Sequence, residues 1–487
     1  MRFLRWCAAN KSLLILLSLI AAFQFATIRP GVTGNEDACL YLAHARNLAI
    51  GRPYLDTGFI YTKEAASYSP AAYPPVFPLM IAPLYKFVGL HPAPYKVLLV
   101  CVFIVSLIVI LQLYRNRASP LQVLVLVALL GFSDFVAQQK NEITSDLPFF
   151  LAVYSFFLLC STIDWERGSG GYSLPSGIYL GIVGYLAYGI RSLGAGLFPC
   201  IVAFGAIRYR RVPRFLFVAA GVFVALAAIQ SYFVSNISDY VRLWAFDPHV
   251  SSQNLHFYVG TVALLWDAGA GRLTRMILFS IATCFFLIGA WKTVRERLEI
   301  TTLFCLGYGL FIIALPFQSA RYLLPLLPEY MYLVLRGSGE VRACIARRSP
   351  AAAKVVAGAL VSAVFSAYAG QLRASRFAPR PYTWDGLASN QLYDFARAAM
   401  PKDAVFIAGG ARALALYSGR RAARYPDNLD RSFVTKYIRD VGATYLVESR
   451  TDRGAWRLLC HSMSGMHPVF SNSDYTVYRI DLASSNL

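Results

Sequence analysis

The sequence predicts a polytopic α-helical membrane protein with about 11 transmembrane helices and a small C-terminal α/β domain. Three observations predict this fold class. The chain of 487 residues is 57% hydrophobic and has a mean hydropathy of +0.50, which is too apolar for a soluble globular protein. Long apolar segments alternate with short basic loops. From about residue 375 onward the composition becomes that of a soluble domain.

A transmembrane helix needs about 20 predominantly apolar residues. By this criterion the candidate spans are residues 12–28, 94–114, 121–138, 146–163, 175–190, 193–207, 215–234, 275–291, 300–316, 321–336 and 352–370. The segment 76–90 is also apolar, but it contains Pro78 and Pro83. We expect it to lie along the membrane interface rather than to cross the bilayer.

The basic residues predict the topology. Arginine and lysine concentrate in alternate loops, at residues 2–11, 115–117, 208–214, 292–297 and 336–348. Because cytoplasmic loops are enriched in these residues, we expect these loops inside and residues 375–487 outside the cytoplasm. The net charge of +20 is therefore not taken as a sign of a nucleic-acid partner. An integral protein of a bacterial inner membrane fits this pattern.

The predicted division of the chain is a membrane domain at 1–374, which includes a first outer loop at 29–93, and a soluble domain at 375–487. In the soluble part, helical and strand patterns alternate, and residues 467–482 resemble a hairpin with Asn, Ser and Asp in its turn. Residues 420–428 are predicted to be a loop. The outer loop 235–274 shows little periodicity, and loops of this length are often lids or binding loops.

The same topology brings separate polar features to the outer side of the membrane. They are the pair Glu36–Asp37, the segment 141–150 with Glu142 and Asp146, Arg191, and the segment 318–322 with Arg321 and Tyr322. A carboxylate at the membrane edge is costly to desolvate and therefore indicates a functional site. Simpler interpretations remain open, since an aspartate can cap a helix and an arginine at a helix end can extend to the interface.

The segment after the first span also carries a motif. Asp37 and Tyr41 form the pattern D-A-x-x-Y, which resembles the D-E-x-x-Y motif of the C-type superfamily of membrane glycosyltransferases (GT-C). The branch of the protein O-mannosyltransferases and lipid A aminoarabinose transferases is the most similar. In this chain Ala38 replaces the glutamate of the motif, and Glu36 stands one residue before the aspartate. We rank Asp37 above Glu36 as the catalytic carboxylate.

Other segments resemble the same family in order and spacing. The S-D-L-P sequence at 145–148 resembles the second acidic position, which would be Asp146. The stretch IRSLGAGL, which contains Arg191, and the stretch RYLLPLLP at 321–328 resemble further recurring segments. The resemblance extends over the whole chain and implies the GT-C fold. It also implies transfer of a sugar from a polyprenyl-phosphate carrier to an acceptor on the non-cytoplasmic face.

The chemistry of such a transfer assigns the candidate residues. Asp37 would act as the general base, with Glu36 and Asp146 as further catalytic candidates. The leaving phosphate needs cations, and the candidates are Arg191, Arg321, Lys86 and His91. Further candidates for the site are Tyr41, Glu142 and Tyr322. A direct displacement would invert the anomeric carbon.

The sequence leaves the acceptor open between a protein, a lipid and a glycan, and it gives no reason to expect a metal or another cofactor. One alternative function is that of a polytopic transporter or a flippase for lipid-linked sugars, whose polar residues would line a route through the bilayer. A non-catalytic relative is another, since the glutamate of the motif is missing. The clustering of polar residues on one face favours the enzyme.

Overall fold

The computed structural model of the chain describes residues 11–32, 36–68, 70–163, 165, 173–234, 247–269, 271–377, 383–450, 454–463 and 465–481. The basic residues predicted at 2–10 and residues 235–246 of the long outer loop lie outside the described residues.

The membrane part is built from helices. In chain order they are α1 (Lys11–Ala26), α2 (Asp37–Ile50), α3 (Val76–Val88), α4 (Pro92–Tyr114), α5 (Pro120–Gly131), α6 (Asp134–Gln139), α7 (Asp146–Thr162), α8 (Ser173–Ile190), α9 (Leu197–Tyr209), α10 (Arg214–Phe233), α11 (Pro248–Leu264), α12 (Arg272–Glu296), α13 (Ile300–Ile313), α14 (Leu327–Arg348) and α15 (Pro350–Phe377). Helices α2 and α3 belong to the segment 29–93 predicted as the first outer loop.

Four helical segments of the described chain are long and apolar enough to cross a membrane: Pro92–Tyr114, Ser192–Tyr209, Arg214–Phe233 and Arg272–Glu296. Others are apolar but shorter, such as α5 and α13. Each predicted span overlaps a helix, while the number of helices that cross the bilayer stays a prediction.

Two helices of the bundle begin with a 3₁₀ segment. Ser192–Gly196 precedes α9, and Ala320–Leu326 precedes α14. A 3₁₀ turn is narrower than an α-turn and is often found at a helix end or a functional hinge. Arg191 lies immediately before the first of these segments, and Arg321 is the second residue of the other. Both arginines are therefore presented where a regular helix has not yet begun.

The prediction of an irregular loop at 235–274 was wrong for the part that the structure describes. Residues Pro248–Leu264 form helix α11, and the side chain of Asp247 accepts a hydrogen bond from the backbone N–H of His249. Aspartate before a helix and proline at its first position are start signals. The polar residues of α11 concealed its helical period.

Helices α12 and α14 pack closely through two glycines. A Cβ atom at Gly289 would lie 2.0 Å from the carbonyl oxygen of Leu333. A Cβ atom at Gly337 would lie 1.9 Å from the carbonyl oxygen of Phe285. The two backbones approach this closely only because neither glycine has a side chain, as is typical of small residues between membrane helices.

The strands form one mixed sheet in the order β1-β3-β2-β4-β6-β5. They are β1 (Phe59–Ile60), β2 (Val405–Ile407), β3 (Arg421–Ala423), β4 (Tyr445–Ser449), β5 (Met466–Ser471) and β6 (Tyr475–Ile480). Strands β1, β3, β2 and β4 are parallel, and β6 is antiparallel to both β4 and β5. The hairpin predicted at 467–482 is confirmed.

The prediction of a loop at 420–428 was wrong in part, because Arg421–Ala423 forms strand β3. Its three residues are too few to show an alternating pattern. They become a strand because β2 pairs with one side of it and β1 pairs with the other. Since β1 comes from the first outer loop, this loop completes the C-terminal sheet.

Helices cover both faces of the sheet: α16 (Leu387–Ala399), α17 (Ala411–Ser418), α18 (Arg431–Val441) and α19 (Gly454–Ser462). Alternate residues of β2 point to opposite faces, as the pleat of a strand requires. Phe406 joins the core that contains α16, α17 and the membrane helices. Val405 and Ile407 join a second core with α18 and Trp456 of α19. The domain boundary near residue 375 stays a prediction.

Replacement of Gly337 by alanine tests the close helix contact. The added Cβ has no room, so α12 and α14 must separate, and overpacking of this kind costs about 1–3 kcal/mol. We expect Gly337→Ala to lower the thermal unfolding temperature, measured by intrinsic tryptophan fluorescence of the purified protein. Gly309→Ala in α13 is the matched control, since nothing lies within 4 Å of its added Cβ. Equal losses in the two variants would contradict the packing described.

Candidate functional site

A cavity of about 1630 Å³ lies between the membrane helices and the sheet. One end is lined by small and apolar residues of α9 and α13, such as Ala203 and Leu303. The other end is lined by residues at the ends of the sheet strands, such as Gly410 and Ser449. Charged side chains from distant parts of the chain line the region that includes the start of α2. The cavity therefore combines an apolar end, a charged region and a sheet-lined end.

Asp37 is the first residue of α2 and is only 5% exposed. Its Oδ1 atom lies 2.8 Å from Nη1 of Arg412 and accepts a hydrogen bond of 2.5 Å from the hydroxyl of Tyr73. Its Oδ2 atom lies 2.5 Å from Nη2 of Arg321. Burial alone would raise the pKa of Asp37, but the charges of Arg321 and Arg412 and the Tyr73 hydrogen bond together lower it. The carboxylate is therefore held in its ionised form.

Glu36 is also buried, and it contacts the C-terminal helix α17. Its Oε1 atom accepts hydrogen bonds from the backbone N–H groups of Arg412 at 3.0 Å and Ala413 at 3.4 Å. Its Oε2 atom lies 3.3 Å from Nη1 of Arg424. The N-terminus of a helix favours a negative charge, but burial outweighs these contacts and raises the pKa of Glu36. Glu36 thus connects the start of α2 to helix α17 and to the residue that follows β3.

Tyr73, which donates to Asp37, is itself held by the first outer loop. Its backbone N–H donates a hydrogen bond of 3.4 Å to Nε2 of His44, whose ring stacks on Tyr54 at 4.1 Å between centroids. Burial lowers the pKa of His44 to about 4, so this imidazole is neutral at physiological pH and its Nε2 can accept. Tyr41 stacks on the Tyr73 ring at 4.4 Å.

Asp146 is the first residue of α7 and is buried. It forms an ion pair with Arg191, and its Oδ2 atom lies 3.7 Å from Nη1 of Arg321. Arg321 therefore bridges the two aspartates, Asp37 and Asp146. The guanidinium of Arg191 lies 5.1 Å from the ring centroid of Tyr322. The sequence predicted all five of these residues, and the structure brings them together.

The loop before α7 holds two more of the predicted residues in place. The hydroxyl of Tyr41 hydrogen-bonds Oγ of Ser145 at 2.8 Å. Glu142 is half-buried, and burial followed by the charge of Asp146 raises the pKa of Glu142 to about 7, although Arg321 opposes the shift. Ile143 has a φ of 49°, which is unusual for a β-branched residue. Strained backbone of this kind is concentrated at functional sites.

Lys86 and His91 do not reach the charged region. Lys86 is exposed in the last turn of α3, and His91 is exposed at the residue before α4. Neither residue lines the cavity. The buried residues of α3 lie earlier in the helix, at Phe77, Pro78, Ile81 and Ala82, so its C-terminal turn extends beyond the packed region. The structure gives no support to a phosphate-binding role for Lys86 or His91.

Sequence reasoning missed Tyr73, Arg412 and Arg424. Arg412 is 5% exposed, and its guanidinium lies 5.3 Å from the ring centroid of Phe59 in β1. The available signal was an arginine inside the otherwise apolar stretch A-R-A-L-A-L, directly after Gly409-Gly410. A charged residue on the buried part of a short helix needs a partner, and the predicted carboxylates could have supplied it. Tyr73 gave no comparable signal.

The charges of the site nearly balance. Among the described residues around the acidic pair are four arginines and three carboxylates, namely Arg191, Arg321, Arg412, Arg424, Glu36, Asp37 and Asp146. With these three carboxylates ionised, the seven residues carry one excess positive charge, which Glu142 beside Asp146 offsets when it is ionised. The Nε–H group of Arg321 is buried without a hydrogen-bond partner in the described structure, and buried donors left in this state are rare. The site is therefore suited to bind an anion.

The fold has clear structural relatives. ArnT from Cupriavidus metallidurans in the apo state matches with a TM-score of 0.61 and 11% identity, over 98% of this chain and 99% of that one. The archaeal oligosaccharyltransferase AglB from Archaeoglobus fulgidus, in complex with an inhibitory peptide and a dolichol-phosphate, matches with a TM-score of 0.58 and 10% identity. The match covers 90% of this chain and 69% of that one. The arabinofuranosyltransferase AftD from Mycobacteria matches with a TM-score of 0.57 and 11% identity, over 96% of this chain and 41% of that one.

These neighbours are all GT-C glycosyltransferases, and the alignments cover nearly the whole of this chain. The resemblance to GT-C enzymes stated from the sequence is therefore confirmed at the level of the fold. No protein-family model and no curated protein sequence matches the chain.

The raised pKa of Glu142 predicts a pH-dependent stability. The folded-state pKa of about 7 lies above the ordinary value of 4.5, so folding favours the protonated form. Stability is then full below about pH 4.5 and falls as the pH rises through about 7. The glutamine of Glu142→Gln cannot ionise. We therefore expect the unfolding temperature of this variant to increase relative to that of the unmodified protein as the pH rises from about 5 to about 8.

Thermal unfolding monitored across this pH range measures the effect. Glu340→Gln is the control, because Glu340 forms a half-exposed ion pair with Lys292. Parallel curves for Glu142→Gln and the unmodified protein from pH 5 to pH 8 would contradict the proposed environment of Glu142.

Proposed function

We propose that this chain is an inverting glycosyltransferase that moves a sugar from a polyprenyl-phosphate-linked donor to an acceptor hydroxyl on the non-cytoplasmic face of the membrane. The observation that carries the proposal is Arg321, which bridges two buried aspartates beside a cavity with one apolar end. The proposed location is a bacterial inner membrane, with the sheet outside the cytoplasm.

The apolar end of the cavity suits the lipid chain of the donor. Leu306 and Leu310 of α13 line the cavity, and each is 62% exposed. Exposed apolar side chains on a membrane helix face lipid, so this wall lies where the cavity can meet the bilayer. A lipid-linked substrate could enter sideways without leaving the membrane. The structures of ArnT bound to undecaprenyl phosphate and of AglB in complex with a dolichol-phosphate support a carrier of this class.

The phosphate of the donor would bind at Arg191 and Arg321. Their side chains are 12% and 15% exposed, whereas that of Arg412 is only 5% exposed, so the first two are the more accessible from the cavity. A guanidinium offers two parallel N–H groups to a phosphate, which strengthens and orients the contact. The buried Nε–H group of Arg321, which has no hydrogen-bond partner in the described structure, favours the same ligand.

The chemical step is one displacement. The acceptor oxygen forms a bond to the anomeric carbon while the bond from that carbon to the phosphate oxygen breaks. The hydroxyl proton passes to the carboxylate of Asp37, and the bonding electron pair leaves with the polyprenyl phosphate. Arg191 and Arg321 stabilise the charge on this leaving group. Attack opposite to the leaving group inverts the anomeric carbon.

Donor binding would also change the strength of the base. In the structure Arg321 and Arg412 hold the pKa of Asp37 low, and a carboxylate with such a low pKa is a weak base. A phosphate beside Arg321 takes up part of its charge, so the pKa of Asp37 rises toward its ordinary value. Asp37 is therefore expected to become a better base when the donor is present, which limits proton uptake in the empty site.

The transporter or flippase alternative is not favoured. The charged residues of the cavity gather around the start of α2 rather than along a route through the helices. Glu329 is fully buried within the bundle, but its two carboxyl oxygens accept hydrogen bonds from Tyr114 and Thr302, and Glu329 does not line the cavity. The structural neighbours are also glycosyltransferases.

Replacement of Asp37 by asparagine tests the catalytic assignment. The amide keeps the size of the side chain but cannot take the proton, and loss of a general base typically slows a reaction by about 10²–10⁴-fold. We expect Asp37→Asn to lose transfer from a polyprenyl-phosphate sugar by this factor while it still binds polyprenyl phosphate. The control is Asp394→Asn, at a side chain that is 69% exposed on α16. Unchanged transfer by Asp37→Asn would refute the assignment of Asp37 as the general base.

Lysine substitutions of the two arginines test phosphate binding. Lysine keeps the charge but loses the paired N–H groups, and hydrogen bonds to charged groups contribute about 1.5–3 kcal/mol. Arg191→Lys and Arg321→Lys should each weaken the binding of undecaprenyl phosphate by at least about tenfold, measured by native mass spectrometry. The control is Arg397→Lys, whose arginine is exposed on α16. Affinities within a factor of about two of the unmodified protein would place the phosphate elsewhere.

A further inference from the structure

The C-terminal sheet has a point where the direction of the chain reverses. From β2 the chain passes through α17 to β3 on one side, and it then returns through α18 to β4 on the other side of β2. Helix α17, which follows β2, and helix α19, which follows β4, belong to cores on opposite faces of the sheet. The segments that follow β2 and β4 therefore diverge. In open α/β sheets, ligands bind in the crevice that such a reversal leaves at the carboxyl ends of the strands.

This crevice opens into the cavity already described. Gly409 and Gly410 follow β2, Ser449 ends β4, and Tyr475 of β6 is the pairing partner of Ser449. Trp384 lies against the same strand ends, and all of these residues line the cavity. The crevice is thus continuous with the region that contains the acidic pair.

Trp384 is fixed by the backbone around it. A Cβ atom at Gly410 would lie 2.6 Å from the Cζ3 atom of its indole ring, so the ring packs directly on the glycine. Its backbone N–H donates a hydrogen bond of 2.9 Å to the carbonyl oxygen of Val32. Val32 precedes the acidic pair in the chain. The tryptophan is therefore positioned by the sheet and by the segment that leads to Asp37.

The crevice lies within reach of the proposed base. Gly410 and Arg412 are two residues apart, and consecutive Cα atoms are about 3.8 Å apart, so their Cα atoms are separated by at most about 7.6 Å. Arg412 in turn contacts Asp37 at 2.8 Å. Because Trp384 and Asp37 line the same cavity, a saccharide that stacks on Trp384 can extend a hydroxyl group toward Asp37.

The side chains of the crevice fit a sugar ring. Trp384 offers a partly exposed aromatic ring to the cavity. Tyr475 and Tyr425 also line the cavity, but they are 8% and 7% exposed, and the Tyr425 ring is already stacked on Trp456. The C–H face of a pyranose packs on an aromatic ring, while its hydroxyl groups need hydrogen-bond partners such as Ser449 and Asp427, which also line the cavity. A peptide bound in extended form would pair with a strand edge, whereas these residues lie at strand ends.

We propose that this crevice binds a saccharide unit of the acceptor, so that the hydroxyl group that attacks the donor belongs to a sugar. The inference rests on the proposed function, because it names the acceptor class of that reaction. It assigns the C-terminal sheet to acceptor recognition and the membrane helices to donor recognition. Trp384 is the residue on which the sugar ring would stack.

Saturation-transfer-difference NMR on the purified full-length protein tests this proposal. The probes are the methyl glycosides of glucose, galactose, mannose, N-acetylglucosamine and arabinose, and a hexapeptide that contains serine and threonine. We expect transfer to at least one glycoside, strongest at the ring C–H protons that face an aromatic side chain. Trp384→Ala should weaken the binding of that glycoside by about tenfold, and Trp384→Phe by less.

Two matched pairs separate recognition from folding. Trp291→Ala removes a tryptophan that is 61% exposed on α12 and should leave glycoside binding unchanged. Gly410→Ala displaces the Trp384 ring without removing it and should weaken binding, whereas nothing lies within 4 Å of the Cβ added by Gly454→Ala. Each variant is also titrated with undecaprenyl phosphate, whose affinity should stay unchanged because the crevice does not contact the arginine pair proposed for the phosphate.

The outcomes are distinct. Binding of the peptide alone, or of none of the glycosides, overturns the acceptor assignment while donor binding and catalysis by Asp37 stand. Glycoside binding that Trp384→Ala leaves intact also overturns it, since the sugar then lies elsewhere. Unchanged sugar transfer by Asp37→Asn instead overturns the proposed catalytic role and leaves the crevice to be judged by its own binding data.

Discussion

The site is organised around one guanidinium, that of Arg321, which Asp37 and Asp146 share. A second arginine completes each pair, Arg412 for Asp37 and Arg191 for Asp146. Each aspartate starts a different helix, and neither could be buried with its charge unless a cation was buried beside it. The shared arginine links the start of α2 to the start of α7. It also leaves a cation in place for a phosphate. The same contact therefore serves the stability of the empty protein and the binding of a charged ligand.

The C-terminal sheet is a structural part of this site. Arg412 and Arg424 neutralise the acidic pair from the opposite side, and strand β1 of the first outer loop pairs with β3 of the sheet. Removal of one partner of a buried charge pair leaves an uncompensated charge and is strongly destabilising. The sheet and the membrane helices are therefore held together by the residues that would carry out the chemistry. This arrangement would place donor and acceptor on opposite sides of Asp37.

Sequence reasoning found the membrane side of the site and missed the other side, for physical reasons. Asp37, Asp146, Arg191 and Arg321 lie at the ends of long apolar segments, where a charged residue stands out and topology assigns it to a face of the membrane. Arg412 lies in a short helix of a soluble region, where arginine is ordinary. Only the three-dimensional contact between α17 and α2 shows that it is buried.

The other discrepancies have similar origins. Lys86 and His91 were included because they lie on the interfacial segment, but sequence position does not show how far a helix end projects beyond the packed region. Strand β3 has three residues and no alternating pattern, and pairing on both sides makes it a strand. In each case the deciding interaction is between residues that are far apart in the chain, and the local composition cannot predict such a contact.

A structure of the full-length protein in a lipid nanodisc with undecaprenyl phosphate tests the central claim most directly. The account predicts the phosphate beside the guanidinium groups of Arg191 and Arg321, with the lipid chain along α9 and α13. It also predicts that the ion pair between Arg321 and Asp37 lengthens as the phosphate takes up part of the charge. A phosphate bound away from both arginines, with the contact between Arg321 and Asp37 unchanged, would contradict it.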